Sequence, residues 1–284
     1  MDNMLTYTGG KWCADYDFKK DLGLRRAESL IEVMEARRVG ERHVLFLWDE
    51  HYERLIKSCE GYRIPLDKLP PKEEILVKLQ SVLMLAGSRA LGWIIVTKGP
   101  SFDFKTPYGD PTLSVDFTDV PLNQGRPFRL KTVRAMREFP ELKLTAGYGY
   151  ANMHTNDVCA LGFDKFLYWS EQFGILEGAF ENIVFITKKG ELLAPNTNIL
   201  YGVTRKTILE LAKDFGMKVT ERPVHNYQLD YCDEAFLAST TLKIAEVVSI
   251  NEEDHLFKVF PENHHTQILQ QLFLDYRAKY FKTH

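Results

Sequence analysis

At 284 residues, with 45% hydrophobic and 26% charged side chains, the chain has the composition of a soluble globular protein and room for two domains or one large one. A net charge of -3 gives no basic face for nucleic acid, and no apolar run approaches the roughly 20 residues of a membrane span. The opening MDNMLTYTGGKWCADYDF has no basic start followed by an apolar core, so it does not read as a signal peptide. Cys13, Cys59, Cys159 and Cys232 are scattered without C-x-x-C spacing and read as reduced, cytoplasmic thiols rather than a disulfide framework or a metal site.

Strands are expected at Leu5–Tyr7, Leu30–Ala36 and His43–Phe46. Asp49 then caps a helix through His51, Leu55, Ile56 and Cys59 that ends near Gly61. Pro70-Pro71 opens a second helix with Ile75, Leu76, Leu79, Val82 and Leu83 on one face. Trp93–Thr97 and Leu113–Phe117 complete a series of strands and helices that favours an α/β sandwich over a doubly wound parallel sheet. Thr118 to Gly125, with Pro121 and Asn123, reads as a linker between a domain at 1–117 and a domain at 126–284. A strand at Phe128–Val133, a helix from Tyr150 to Leu161 and a strand at Lys165–Trp169 follow, with Lys143 ahead of that helix.

The stretch from Gly174 to Arg205 holds the most pattern. Asn182–Thr187 and Glu191–Ala194 form a hairpin turned by Lys188-Lys189-Gly190, where glycine accepts a positive φ. Thr204 is placed as the N-cap of a helix that closes at Gly216. The free amides of such a helix start suit a phosphate. Glu177 stands among apolar and small residues and wants a cationic partner. A return strand at 217–223, a strand from Cys232 towards Thr241, a short strand at Val247-Val248 and a helix after Asn263 complete the chain. His264-His265 point in different directions on that helix and read as surface residues, not metal ligands.

By pattern alone Arg54 is a solvated helical arginine, Lys143 one lysine among many and Glu177 a strand-edge acid. Their order, however, is distinctive: H-Y-E-R-L at 51–55, K-x-x-x-x-Y at 143–148, G-F-D at 162–164, E-G-x-x-x-N at 177–182, L-x-G-V-T-R at 200–205, and D-E-x-F-x-x-x-T at 233–240. This resembles the class IV aminotransferases, the pyridoxal-phosphate (PLP) enzymes of fold type IV, strongly from Lys143 to Val248 and patchily before. The resemblance implies an N-terminal α/β sandwich, a C-terminal pseudo-barrel, a homodimer and the cofactor pyridoxal 5'-phosphate. It implies transfer of an amino group between an amino acid and a 2-oxo acid. The alternatives within the group are an aminodeoxychorismate lyase and a non-catalytic member of the fold.

Residue by residue, the resemblance makes Lys143 the Schiff-base lysine; Lys131 is a rival but stands too far upstream of G-F-D. Glu177 would sit beneath the cofactor ring nitrogen, and Tyr148 would hydrogen-bond the phenolic oxygen. Leu200 would pack on the ring, while Arg54, Val203, Thr204 and Thr240 would hold the phosphate. Residues 21–32, DLGLRRAESLIE, depart from the family's D-R-G-x-x-Y-G-D-G-x-F-E. Arg26 stands at the tyrosine place, Ala27-Glu28-Ser29 replace the Gly-Asp-Gly turn, and Glu35 takes a position that is often basic. Glu246 likewise replaces an expected proline. The substrate side is thus rewritten, and Arg26, with Lys98 behind it, is the candidate for a substrate carboxylate.

Overall fold

In the computed structural model, which describes residues 4–120, 126–252 and 255–284, alternating apolar residues build the first of two units. This unit comprises Met1–Pro121, Leu142–Ala146 and Lys279–His284. Its elements are β1 (Leu5–Thr8), β2 (Lys11–Cys13), α1 (Leu22–Arg26), β3 (Ser29–Val39), β4 (Arg42–Leu45), α2 (Trp48–Gly61), α3 (Lys72–Leu83), β5 (Arg89–Thr97) and β6 (Thr112–Asp119). The sheet runs β2-β1-β6-β5-β3-β4 with every neighbouring pair antiparallel. Every second residue of β3 turns inward: Leu30, Met34 and Ala36 are buried with Ile94, Val96 and Val115 against Leu55 and Cys59 of α2 and Ile75, Leu79 and Leu83 of α3. This is the two-layer α/β sandwich expected. Glu32 belongs to the same inward row, between Leu30 and Met34.

Three local expectations change. α2 starts after Leu47, whose φ is 58° and which caps without a side-chain bond; Asp49 lies in the first turn beside Glu50 instead, where its charge favours the positive helix end. β2 and α1 were not anticipated, being too short to carry a periodic signal. Leu142–Ala146 joins this unit although it lies far along the chain. The Thr145 N–H bonds the Ser29 carbonyl, the Ile31 N–H bonds the Lys143 carbonyl, and Leu144 enters the core. The domain expected at 126–284 therefore gives up Leu142–Ala146 and Lys279–His284 to the first unit. In the latter segment, Tyr280 and Phe281 meet Phe46 with ring centroids 5.0 and 5.6 Å away. Of the expected linker, Thr118 and Asp119 finish β6, and residues 121–125 lie outside the described residues.

The second unit, Leu122–Glu141 and Gly147–Ala278, carries β7 (Phe128–Arg134), α4 (Ala146–Ala160), β8 (Lys165–Ser170), β9 (Gly174–Ile175), β10 (Asn182–Thr187), β11 (Leu192–Ala194), α5 (Val203–Asp214), β12 (Val219–Glu221), β13 (Cys232–Ser239), β14 (Lys243–Glu252), β15 (His255–Val259) and α6 (His264–Thr283). The mixed sheet runs β12-β11-β10-β13-β14-β7-β8-β9, with β15 on β14. Its two ends approach each other: Val224, just past β12, bridges Gly174 and Ile175 of β9, and its carbonyl accepts the Ile175 N–H at 2.8 Å. The curled sheet encloses Leu130, Leu167, Ile183, Phe185, Leu237 and Val247, the pseudo-barrel expected.

The β10–β11 turn has Gly190 at φ 76°, as its sequence required. α4 begins a turn earlier than expected, because Gly147 and Gly149 read as helix breakers yet lie inside its first turn. α6 is capped from outside: the Glu234 carboxylate accepts the backbone N–H groups of His265 and Thr266 and bonds the His265 ring at 2.8 Å. His265 is therefore half-buried and engaged, while His264 is exposed.

The turn after α1 adopts a left-handed backbone without a glycine. Ala27 caps α1 at φ 54°, ψ 28°. An L-residue with a Cβ pays about 1–2 kcal/mol in that region. Ala27→Gly is expected to stabilise the protein by about 1 kcal/mol, less the entropy glycine adds to the unfolded chain. Calorimetry should show a melting temperature raised by about 2–4 °C; a lower one would mean that the Ala27 side chain contributes packing that outweighs the strain.

Candidate active site

The candidate residues fall into two groups, one in each unit. In the first, β3 supplies Glu32 and α2 supplies His51 and Arg54, one helical turn apart on the same face. Glu32 Oε1 accepts Arg54 Nε at 2.7 Å, and Oε2 accepts Arg54 Nη2 at 2.9 Å and His51 Nδ1 at 2.7 Å. Glu32 and His51 are buried, at 1% and 2% exposure. Burial alone would raise the Glu32 pKa, but the Arg54 charge and the His51 and Arg54 hydrogen bonds override it and hold the carboxyl near pH 2, at about 2. Burial pushes His51 below its ordinary pKa against the pull of Glu32, with the charges of Arg54 and Lys143 adding to the depression. A neutral imidazole facing an ionised carboxylate carries its proton on Nδ1. Lys143 itself is half-buried, its backbone N–H reaching Ser58 Oγ of α2 at 3.4 Å. The first unit thus brings Arg54 and the Lys143 segment to the same β3–α2 region.

In the second unit the centre is Glu177, 3% exposed. Arg137, itself buried, donates Nε to its Oε1 at 3.0 Å and pairs with the same oxygen through Nη2. The Leu200 N–H lies 3.2 and 3.1 Å from the two carboxylate oxygens. Asn182 Nδ2 spans Glu177 Oε2 at 3.3 Å and the Leu200 carbonyl at 2.8 Å. Burial works against the charge of Arg137, yet the adjacent Glu177 carboxylate raises its pKa above the ordinary value. Tyr148 lies in the first turn of α4, its ring stacked 5.1 Å from Phe180.

Asn182 also explains the glycine of the L-x-G-V-T-R pattern. A Cβ on Gly202 would fall 2.1 Å from Asn182 Oδ1, so the close approach of the two segments admits only glycine. Gly202, not Thr204, is the N-cap of α5, and it makes no side-chain cap; Val203 and Thr204 are the first two helical residues, both buried. The first turn carries no acid. The buried Nε of Arg205 in that turn has no hydrogen-bond partner among the described residues, although its Nη2 reaches the Pro195 carbonyl at 2.9 Å and Glu221 at 3.0 Å. An uncapped, acid-free helix start beside an unsatisfied guanidinium N–H fits a phosphate. Thr240 is half-buried just beyond the end of β13, against which α5 packs.

The substrate-side candidates also belong to the first unit, where Ala27, next to Arg26, accepts a hydrogen bond from Thr145 Oγ1 at 3.2 Å. Arg26 is exposed, with its guanidinium 5.3 Å from the Phe104 ring centre. Lys98 pairs with Glu28 at 3.0 Å and lies 4.3 Å from the Tyr62 ring centre. Glu35 is buried, 3.7 Å from Arg89. Sequence reasoning missed Glu32, His51, Arg137 and Asn182 as members of these networks. A charged residue in an inward strand position was the available signal for Glu32; Arg137 offered none, because its partner is 40 residues away.

A family model described as amino-transferase class IV matches residues 29–250. The chain belongs to the class IV aminotransferases and is an enzyme. It is 28% identical to a putative branched-chain-amino-acid aminotransferase of Methanocaldococcus jannaschii, an alignment covering 98% of both chains. Among solved structures it resembles the branched-chain amino acid aminotransferase of Escherichia coli (TM-score 0.81, 21% identity, 95% of this chain and 93% of that one). It also resembles that of Thermobaculum terrenum in its PLP form (TM-score 0.80, 19% identity, 98% and 94%). These likenesses show the fold, that of the fold type IV enzymes.

The buried Glu32–His51 pair makes stability fall on acidification. Both pKa values are lowered in the folded protein, so both contributions are present above the unfolded values and lost as pH drops through the folded ones. Stability to denaturant is expected to fall below the ordinary histidine range near pH 6.5 and further below about 4.5, the unfolded range of a glutamate. His51→Asn should flatten the first part of that decline. A wild-type protein that grew more stable between pH 6.5 and 5, about the window in which a free histidine charges, would contradict these directions.

Proposed function

We propose that this enzyme is a PLP-dependent aminotransferase exchanging an amino group between an amino acid and a 2-oxo acid, with Lys143 as the residue that carries the cofactor. The observation that carries the reading is the pair of charge networks around Glu32 and Glu177, each built on residues at the family's motif positions. When bound, the cofactor supplies an electron sink for the carbanion left at the donor's α-carbon. Lys143 holds it through its amine and moves the proton at that α-carbon. Glu177, kept ionised in a dry setting by Arg137 and the Leu200 N–H, favours a protonated ring nitrogen. Tyr148 would hold the phenolic oxygen, and Leu200 would pack on the ring. Arg54, the Val203 and Thr204 amides and the Thr204 and Thr240 hydroxyls hold the phosphate, and Arg26 binds the substrate carboxylate.

The names of the relatives make leucine, valine and isoleucine the first donors to try. Borohydride reduction of the loaded protein followed by peptide mapping should place the label on Lys143, and Lys143→Ala should abolish it. Label on Lys131 would move the assignment there. Donor alone should convert the enzyme to its pyridoxamine form in one turnover; pyruvate released from aminodeoxychorismate without a 2-oxo acid acceptor would identify a lyase instead. Arg26→Gln is expected to lower kcat/KM by about 2–3 kcal/mol, the scale of a lost charged hydrogen bond, with normal cofactor absorbance. Unchanged kinetics would remove Arg26 from substrate binding.

A further inference from the structure

We propose that Glu32 and His51 are positioning residues for the cofactor phosphate: they hold the Arg54 guanidinium in one fixed orientation from which it meets the anion. This rests on the phosphate role given to Arg54 above and extends it to two side chains outside the anion's own shell. A guanidinium has five N–H donors, and Glu32 takes two, through Nε and Nη2, so the pairing fixes the plane of the fork. An arginine side chain otherwise has about 2 kcal/mol of rotamer entropy to lose on binding. Glu32 is itself held on both sides: it is 1% exposed, set in β3 between the fully buried Leu30 and Met34, and its second oxygen is tied to His51 Nδ1 at 2.7 Å. His51 stands one turn before Arg54, so β3 and α2 clamp the guanidinium from two elements. The neighbouring residue of β3, Ile31, binds the Lys143 carbonyl, so one short piece of strand sets both Arg54 and the lysine segment.

A merely structural reading asks only that the three side chains fill the core. Apolar residues fill such a space at no loss of stability and commonly with a gain, so packing does not account for an ionised network in that row. Simple Coulomb reasoning makes an opposite prediction to positioning. Glu32 offsets the charge of Arg54, so removing it should strengthen anion binding if charge alone mattered. If orientation matters, removal should weaken it.

The test is the ratio of affinities for pyridoxamine 5'-phosphate and pyridoxamine, measured by calorimetry; neither ligand bonds covalently to lysine, so the ratio reads the phosphate contact alone. Glu32→Gln is expected to lower the ratio about tenfold or more, the scale of lost hydrogen bonds to a charged group. His51→Leu should lower it less, and His51→Asn, which keeps an N–H near the place of Nδ1, should restore it. A ratio in Glu32→Gln equal to or above wild type overturns the proposal, and so does an equal loss of affinity for both ligands. If Glu32→Gln fails to fold by circular dichroism, the contrast between His51→Leu and His51→Asn decides by the same ratio. A wild-type ratio near one overturns the phosphate role of Arg54 and this inference with it; a high wild-type ratio untouched by the variants overturns this inference alone.

Discussion

A carboxylate withdrawn from water has to be met by charge and by N–H donors, and Glu177 imposes that demand on the second unit. Its charge is answered by Arg137, its remaining lone pairs by the Leu200 N–H and by Asn182. Each of these bonds ties a different piece of chain to the same two oxygens: the segment after β7, the start of β10, and the loop leading into α5. Removing the anion would leave a buried arginine without its partner, a far larger cost than a surface pair of the same geometry would incur. These bonds draw the loop against β10, where a Cβ on Gly202 would meet Asn182.

The first unit repeats the device with different parts. Glu32 is answered by Arg54 and His51, and the enclosing core of Leu30, Met34, Leu55 and Cys59 keeps water out of the network. Low local polarity strengthens each of these bonds and penalises any geometry that breaks one. The Lys143 segment enters by another route, the Ile31 N–H donating to the Lys143 carbonyl and the Thr145 N–H to the Ser29 carbonyl, so the strand that carries Glu32 also anchors the lysine segment. Fold and chemistry share these contacts. The ladder that stabilises the sandwich is also what positions a side chain distant in sequence.

The departures at residues 21–35 have a structural reading too. Ala27 occupies a left-handed position at the end of α1 despite its Cβ. Glu35 is buried near Arg89, and the exposed Arg26 lies over Phe104.

Order along the chain was enough for the family, for the apolar stretches that became β3, β10, α3 and α5, and for the Gly190 turn, because these depend on neighbours within a few residues. It was enough to single out Arg54, Lys143, Glu177 and Thr204 as candidates. Helix starts were less legible: Leu47 and Gly202 cap α2 and α5, where Asp49 and Thr204 carried the stronger local signal. A cap is settled by where the preceding chain is held, and tertiary contacts hold it. The partners of the buried charges were not legible either. Glu32 meets Arg54 across 22 residues and Arg137 meets Glu177 across 40, distances over which no periodicity carries information. The Lys143 segment joined the first unit through the pairing of Thr145 with Ser29, 116 residues away. The sequence by itself determined which residues were chemically able to form the site, and only the tertiary structure decided their partners, because burial and charge pairing are properties of surroundings that folding creates.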